Sequence, residues 1–339
     1  MMEHGTVTMR DEIVHLPHER LAEHLADDLA EVNDLIRTRM HSEHAPRIPE
    51  VTAHLVEAGG KRLRPMLTIA AARLMGYPGP YHVHLAATVE FIHTATLLHD
   101  DVVDGSEKRR GRPTANLLWD NKSSVLVGDY LFARSFQLMT ETGNLEVLKI
   151  LSRAAATIAE GEVLQLTAAT DISTDEGVYL QIVRGKTAAL FSAACEVGGV
   201  IAGADARAVE ALAGFGDAMG IAFQIADDLL DFWGDEGIGK NNGDDFRDRK
   251  LTLPMIKAIA AADEGERAFW ERTIGQGRQS EGDLEEALRL MEAHGTLEAT
   301  RQDAVSWSDK AKAALEGLPE DPIRDMLTDV ADYVVARLN

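Results

Sequence analysis

Two aspartate-rich segments of one pattern, Asp100-Asp101-Val102-Val103-Asp104 and Asp227-Asp228-Leu229-Leu230-Asp231, stand in an otherwise apolar, Ala-rich background. On a helix, residues i and i+4 share a face, so Asp100 with Asp104, and Asp227 with Asp231, each project two carboxylates the same way. Like charges at that spacing repel unless a cation sits between them. Hard oxygen donors of this kind suit Mg²⁺, which takes one or two carboxylates and completes its shell with water and substrate phosphate. A single such cluster is as often a solvated helix end. A second copy, also following an apolar stretch, favours two metal bridges facing each other across an apolar cavity, with Asp100, Asp101, Asp104, Asp227, Asp228 and Asp231 as candidate ligands.

A phosphate-bearing ligand calls for cations near those carboxylates, and basic runs occur in three places: Gly59-Gly60-Lys61-Arg62-Leu63-Arg64-Pro65, Lys108-Arg109-Arg110-Gly111-Arg112-Pro113, and Lys240 with Arg247, Arg249 and Lys250. The first opens a helix, where free backbone N–H groups also favour anions. The other two directly follow the Asp segments. Arg grips phosphate in a bidentate manner and Lys supplies a point charge. Each run alone reads as ordinary solvated surface, and none matches a P-loop. His93 lies two turns before Asp100 on the same face, either a core histidine or a donor to phosphate. Lys186-Thr187 and Gln224 are polar residues in apolar helical sequence, and a buried lysine there is costly without an anionic partner.

The elements that must position these groups are helical. Apolar residues make up 45% of 339 residues and aromatics 5%, with spacings of three and four throughout. This predicts an all-α chain with one large domain and no linker. Helices are expected at about 18–40, from 50 to the stop at Gly59-Gly60, from Pro65 to Gly76, and over 81–104, 121–141, 145–170, 175–203, 206–232, 251–275, 281–293, 295–316 and 321–338. His41 to Pro49 and the segment after Gly105-Ser106 read as loops. The net charge of −22 argues against nucleic-acid binding. Cys195, alone in an apolar helix, reads as a small buried residue. No uninterrupted apolar run of about 18 residues suggests a membrane span, and the first residues lack a signal-peptide pattern. A soluble, cytoplasmic protein is the expectation.

Taken together, GGKRLRP, EFIHTATLLHDDVVDGSEKRRGRPT, SVLVGDYLFARSFQLM, GKTAALFSAACEVGG and GIAFQIADDLLDFWGD resemble, in order, the motifs of the trans-polyprenyl diphosphate synthases. The resemblance spans about Gly59 to Pro254. It implies the isoprenoid-synthase fold, a single helical bundle around a central apolar cavity over 46–339, with residues 1–45 as an N-terminal helical extension. It also implies a homodimer, Mg²⁺, and chain elongation by repeated addition of isopentenyl diphosphate to an allylic diphosphate such as farnesyl diphosphate. By motif position, Asp100, Asp104 and Asp227 would hold the ions on the allylic diphosphate, supported by Asp101, Asp228 and Asp231. Arg109, Lys186 and Lys240 would neutralise that diphosphate; Lys61, Arg64, His93 and Arg110 would bind isopentenyl diphosphate; Thr187 and Gln224 would steady the allylic cation. Arg249 stands where a glycine often precedes the lysine, which makes Lys250 the weakest transfer.

Product length should depend on residues beneath the first Asp segment. Ala95 and Thr96, about one turn deeper, are small, which in this family resembles medium- and long-chain enzymes. Phe132, Phe136 and Met139 recur at three- and four-residue spacing and either floor a tunnel or form an ordinary core stripe. The fuller motifs resemble long-chain synthases of quinone side chains, with octaprenyl to decaprenyl diphosphate as product. A geranylgeranyl synthase, a terpene cyclase and a non-catalytic synthase subunit are the alternatives. The retained basic residues speak against the cyclase, and the intact acidic set against the inactive subunit. An apolar product suggests transient membrane contact, although no basic amphipathic helix signals it.

Overall fold

Helices carry nearly all of the apolar periodicity. The computed structural model describes residues 16–57, 60–233 and 243–338, with nothing stated for the side chains of 56 and 57. Lys240 and Gly59 lie outside the described residues. In chain order the helices are α1 (Pro17–His24), α2 (Ala26–Arg39), α3 (Arg47–Glu57), α4 (Leu63–Leu74), α5 (Tyr81–Val103), α6 (Ala115–Leu118), α7 (Asn121–Glu141), α8 (Leu145–Ala168), α9 (Glu176–Val183), α10 (Ala189–Ile201), α11 (Ala206–Trp233), α12 (Asp244–Arg247), α13 (Leu253–Ala261), α14 (Glu264–Trp270), α15 (Asp283–Ala293), α16 (Thr296–Leu315) and α17 (Pro322–Ala336).

α5, which ends in the first Asp segment, packs against α2, α4, α7 and α10. α11, which ends in the second, packs against α10, α16 and α17. α10 therefore separates the two acid-bearing helices, and glycines on α10 and α11 allow close backbone approach of α10 to α4 and of α11 to α10. A Cβ at Gly198 would stand 2.7 Å from the Thr68 carbonyl oxygen of α4, and one at Gly216 would stand 2.4 Å from the Phe191 carbonyl oxygen of α10. α11 is long and apolar enough by composition to cross a membrane, yet here it is the core helix, with Leu212, Phe215, Met219, Ile221, Ile225 and Leu229 wholly buried. α1 and α2 pack on α17, α4 and α5, and Leu21, Val32 and Ile36 join the main core.

Several expected helices differ from the observed ones. The stretch 18–40 breaks at Leu25, whose φ of −104° and ψ of 19° leave the helical region while its side chain stays in the core. The stretch 251–275 divides at Ala262, because Asp263 caps a new helix by accepting from the Glu266 backbone N–H at 2.9 Å while Glu266 reaches back to the Asp263 N–H. Over 175–203 the helix is continuous but underwound into a wider π turn at Arg184–Ala188. The polar segment after Gly105 holds a short antiparallel hairpin, β1 (Lys108–Arg109) with β2 (Arg112–Pro113), pairing Arg109 with Arg112. Its two turn residues, Arg110 and Gly111, both have positive φ, 52° and 75°, the conformation that matches strand twist in a two-residue hairpin.

Candidate active site

α5 and α11 deliver the two Asp segments to the same end of the bundle, and within each segment the neighbouring aspartates part company. Asp101 is fully buried and its Oδ1 accepts from Arg109 Nε at 2.9 Å and Nη2 at 2.7 Å. Asp228 is buried too, accepting from Tyr179 Oη and Gln224 Nε2, each at 2.7 Å. Asp100, Asp104, Asp227 and Asp231 keep the more open positions, as the i, i+4 spacing predicts. Burial, with the carboxylates of Glu162 and Asp104, outweighs Lys186 and Arg109 and pushes Asp100 up to about 7. Burial and Asp245 push Asp231 up to about 6. Such carboxylates gain most from a nearby cation. Among the described residues no three acidic, histidine or cysteine side chains converge as a closed metal cage. An all-oxygen set that supplies one or two carboxylates per ion fits Mg²⁺, which keeps water and phosphate in its shell.

Lys250 connects the two segments. Burial lowers the pKa of its ammonium, but the carboxylates of Asp245, Asp228 and Asp104 outweigh this and raise it. Asp104 belongs to the first segment and Asp228 to the second, so both act on one cation. Asp227 has a partner that the sequence reading missed: Arg337, at the end of α17, lies 3.5 Å from its Oδ1 and stacks over Phe223.

The other polar groups gather into two cavities either side of Phe223 and Gln224. One, of about 50 Å³, is lined by Tyr179, Lys186, Thr187, Gln224, Asp228 and Lys250 among others. Lys186 Nζ donates to Glu162 Oε2 at 2.9 Å, the anionic partner its burial demands. The π turn places Lys186 and Thr187 there. It lies at a close backbone crossing, where a Cβ at Gly161 of α8 would sit 2.7 Å from the Lys186 nitrogen, and π turns of this kind recur at functional sites.

The second cavity, of about 250 Å³, brings together Lys61, Arg64, His93 and Arg110 as expected, and adds Arg62 and Glu90. Glu90 is buried and ion-paired with Arg62; burial raises its pKa against the pull of Arg62, Arg64 and Arg110. A lone glutamate in the apolar run Ala87-Thr88-Val89-Glu90-Phe91 was the available signal. Burial and then Arg64 hold His93 well below its usual range. Arg64 Nη1 lies 3.3 Å from His93 Nε2, and a guanidinium only donates, so Nε2 accepts and the imidazole proton is on Nδ1. Burial brings Arg64 down to about 10, and its guanidinium lies 4.3 Å from the Phe191 ring centroid.

Among the described residues the non-glycine positions with left-handed backbone are Arg62, Arg110 and Arg249, one in each basic segment. Such strain concentrates at functional sites. Arg249 explains the departure noted at that position. Its φ of 58° is one that glycine adopts freely, and its side chain donates from Nε to the Ile274 carbonyl at 2.8 Å and from Nη2 to that of Gly275 at 3.1 Å.

The candidate length-determining residues are spread over the bundle. Ala95 is fully buried and Thr96 half-buried, its hydroxyl donating to the His93 carbonyl at 2.8 Å. Phe132 stacks on His99, just before Asp100. Met139 lies deep among Leu85, Val89, Ile92 and Ile150. Phe136 is 45% exposed on the outer face of α7.

The polyprenyl synthetase family profile matches residues 45–291. The chain belongs to the polyprenyl synthetase family. It is 45% identical over 320 residues to the octaprenyl diphosphate synthase of Escherichia coli K12, covering 94% of this chain and 98% of that one. The crystal structure of a decaprenyl diphosphate synthase from Rhodobacter capsulatus superposes with a TM-score of 0.93 at 71% identity, covering 95% of this chain and 100% of that one. A polyprenyl synthase from Caulobacter crescentus CB15, complexed with calcium and isoprenyl diphosphate, gives 0.89 at 52% identity over 94% and 98% of the two chains. The expected isoprenoid-synthase fold and prenyltransferase class are met, and the long-chain trans-prenyl diphosphate synthases are the branch in which this polyprenyl synthetase falls.

Proposed function

We propose that this chain makes an all-trans polyprenyl diphosphate of octaprenyl to decaprenyl length, destined for a quinone side chain, by adding isopentenyl diphosphate repeatedly to an allylic diphosphate. The observation that carries the site assignment is the pair of cavities at Phe223 and Gln224, one lined by Asp228, Lys250 and the Lys186 that acts on Asp100, the other basic. Asp100, Asp104, Asp227 and Asp231 would hold Mg²⁺, with Asp101 and Asp228 as inward supports, since protein donors already engage those two. The calcium and isoprenyl diphosphate on the Caulobacter crescentus relative support an oxygen-ligated divalent site of this kind.

When bound, Mg²⁺ supplies charge stabilisation to the leaving diphosphate. Arg109, Lys186 and Lys250, with Lys240 outside the described residues, neutralise the same group. Lys61, Arg64, His93 and Arg110 grip isopentenyl diphosphate in the second cavity, His93 through Nδ1–H. As the allylic C–O bond breaks, Thr187 and Gln224 present oxygen dipoles to the cation. The isopentenyl double bond attacks it, and the proton then lost goes to the departed diphosphate. Apolar walls of α5, α10 and α11 exclude the water that would quench the cation. Ala95 and Thr96 leave room below the first Asp segment, and Phe132 and Met139 border the path of the tail.

The enzyme is read as a cytoplasmic homodimer with transient membrane contact at product release. Supporting the dimer, the outer faces of α7 and α8 expose Val125, Leu126, Phe136, Val163 and Leu166, an apolar area that a lone soluble chain rarely leaves bare. The test is to incubate the purified chain with Mg²⁺, farnesyl diphosphate and excess labelled isopentenyl diphosphate and size the dephosphorylated products. A ladder reaching C40 to C50 is expected; a ladder stopping at C20, or no elongation, overturns the reading.

A further inference from the structure

The two groups that face the allylic cation owe their polarity to residues behind them. Tyr179 is buried on α9, with its hydroxyl 2.7 Å from Asp228 Oδ2. A carboxylate accepts only, so Tyr179 donates. The other oxygen, Oδ1, lies 2.7 Å from the Gln224 side-chain amide, so the NH₂ of Gln224 must turn toward Asp228. Gln224 Oε1 is then left facing Thr187, whose hydroxyl lies 2.7 Å away. Two oxygens in contact need one proton between them, so Thr187 donates to Gln224. With its proton engaged, the Thr187 hydroxyl has lone pairs free for the cavity that Thr187, Gln224, Tyr179 and Asp228 line together.

We infer that Tyr179 is a positioning residue for prenyl transfer. By occupying the far oxygen of Asp228 it anchors a one-way hydrogen-bond chain, Thr187 to Gln224 to Asp228, that keeps oxygen lone pairs directed at the allylic cation. Reversing the amide would put N–H dipoles toward a forming positive charge. Without the Tyr179 hydroxyl, Asp228 keeps a buried oxygen without its donor and is free to rotate, and the Gln224 orientation loses its anchor. Tyr179 is placed to act through Asp228 and Gln224, since its hydroxyl is engaged by Asp228. The inference rests on the proposed prenyl transfer.

Tyr179→Phe removes one oxygen and keeps the ring. The expected result is a single-turnover rate of condensation lower by about tenfold, less than the loss on deleting a group that itself touches developing charge. Binding of a sulfur analogue of farnesyl diphosphate that does not ionise, followed calorimetrically with Mg²⁺ present, should stay within about twofold, because the analogue never forms the cation that the chain serves. Gln224→Leu should cost as much alone as together with Tyr179→Phe, since the tyrosine acts through the glutamine. Additive losses in that cycle, equal losses in rate and analogue binding, or an unchanged rate each overturn the inference. Should Tyr179→Phe fail to fold, 3-fluorotyrosine at 179 makes a stronger donor of the same shape; an unmoved rate or altered analogue binding with that residue again overturns it. A wild-type chain that transfers no prenyl group defeats instead the function on which the inference rests.

Discussion

At the scale of single residues, left-handed backbone strain falls in the basic segments, at Arg62, Arg110 and Arg249. Arg249 makes the point measurable. Its left-handed backbone costs about 1 kcal/mol relative to glycine, and its two hydrogen bonds to the Ile274 and Gly275 carbonyls return more than that. Arg249→Ala keeps the strain and loses the bonds, so it should destabilise by about 2–3 kcal/mol, whereas Arg249→Gly should lie about 1 kcal/mol closer to wild type. Urea unfolding of the three proteins gives the order, and an alanine variant more stable than the glycine variant would refute it. Ala95 is the second residue-scale case. Being fully buried five positions before Asp100, it leaves a phenylalanine no space except that of the growing tail. Ala95→Phe should shift the product ladder to shorter chains and cost about 1–3 kcal/mol in overpacking; an unaltered ladder would remove Ala95 from the tunnel wall.

Elements position these residues through close backbone approach, which a sequence signals only as scattered glycines. The Asp segments, the basic runs, Lys186-Thr187 and Gln224 were legible because residue type and helical spacing determine which face they share. The long helices α5, α7, α8 and α11 were legible for the same reason. The π turn was not, because Arg184-Gly185-Lys186-Thr187-Ala188 reads locally as ordinary helix and the turn widens where the backbone crosses Gly161, a contact distant in sequence. Nor was the hairpin, since Arg110 gives no local hint of positive φ. Arg337 and Tyr179 escaped because their partners lie 110 and 49 residues away. Gly161→Ala should therefore displace Lys186 and Thr187 and lower kcat by tenfold or more with helix content retained, as small misplacements of reacting groups do; near-wild-type kcat would show that the crossing has slack.

The joint between α2, α4 and α5 adds a pH dependence. Asp28 accepts from Arg73 Nε at 2.9 Å and from His82 Nε2 at 2.8 Å. Burial alone would raise its pKa, but the bonds to Arg73 and His82 outweigh that and lower it. A carboxyl whose folded pKa is depressed contributes stability that is present above its unfolded value near ~3.9 and lost as pH falls through the folded value. Asp28→Asn should cost about 2 kcal/mol at pH 7, and the gap to wild type should narrow below pH ~3.9. A gap constant with pH in denaturant titrations would assign it to packing.

For the molecule as a whole, charge opposes association and the apolar faces of α7 and α8 favour it. Two copies of a chain with net charge −22 repel each other, and the repulsion is screened over about 10 Å at 0.1 M salt and about 30 Å at 0.01 M. The proposed dimer would then bury the exposed apolar side chains Leu126, Phe136, Val163 and Leu166. Phe136→Glu puts a further carboxylate into that face twice over, by the twofold symmetry of an isologous contact. It should convert a species of twice the 36.9 kDa chain mass into a monomer, and dissociation should proceed further at low ionic strength than at high. The substitution lies on an exposed position, so the monomer should stay folded, and thermal denaturation separates loss of association from loss of fold. Sedimentation equilibrium at two salt concentrations decides it. If Phe136→Glu remains dimeric at both, the association surface lies elsewhere, and the exposed apolar side chains on α7 and α8 are left to the other proposed apolar contact, the membrane at product release.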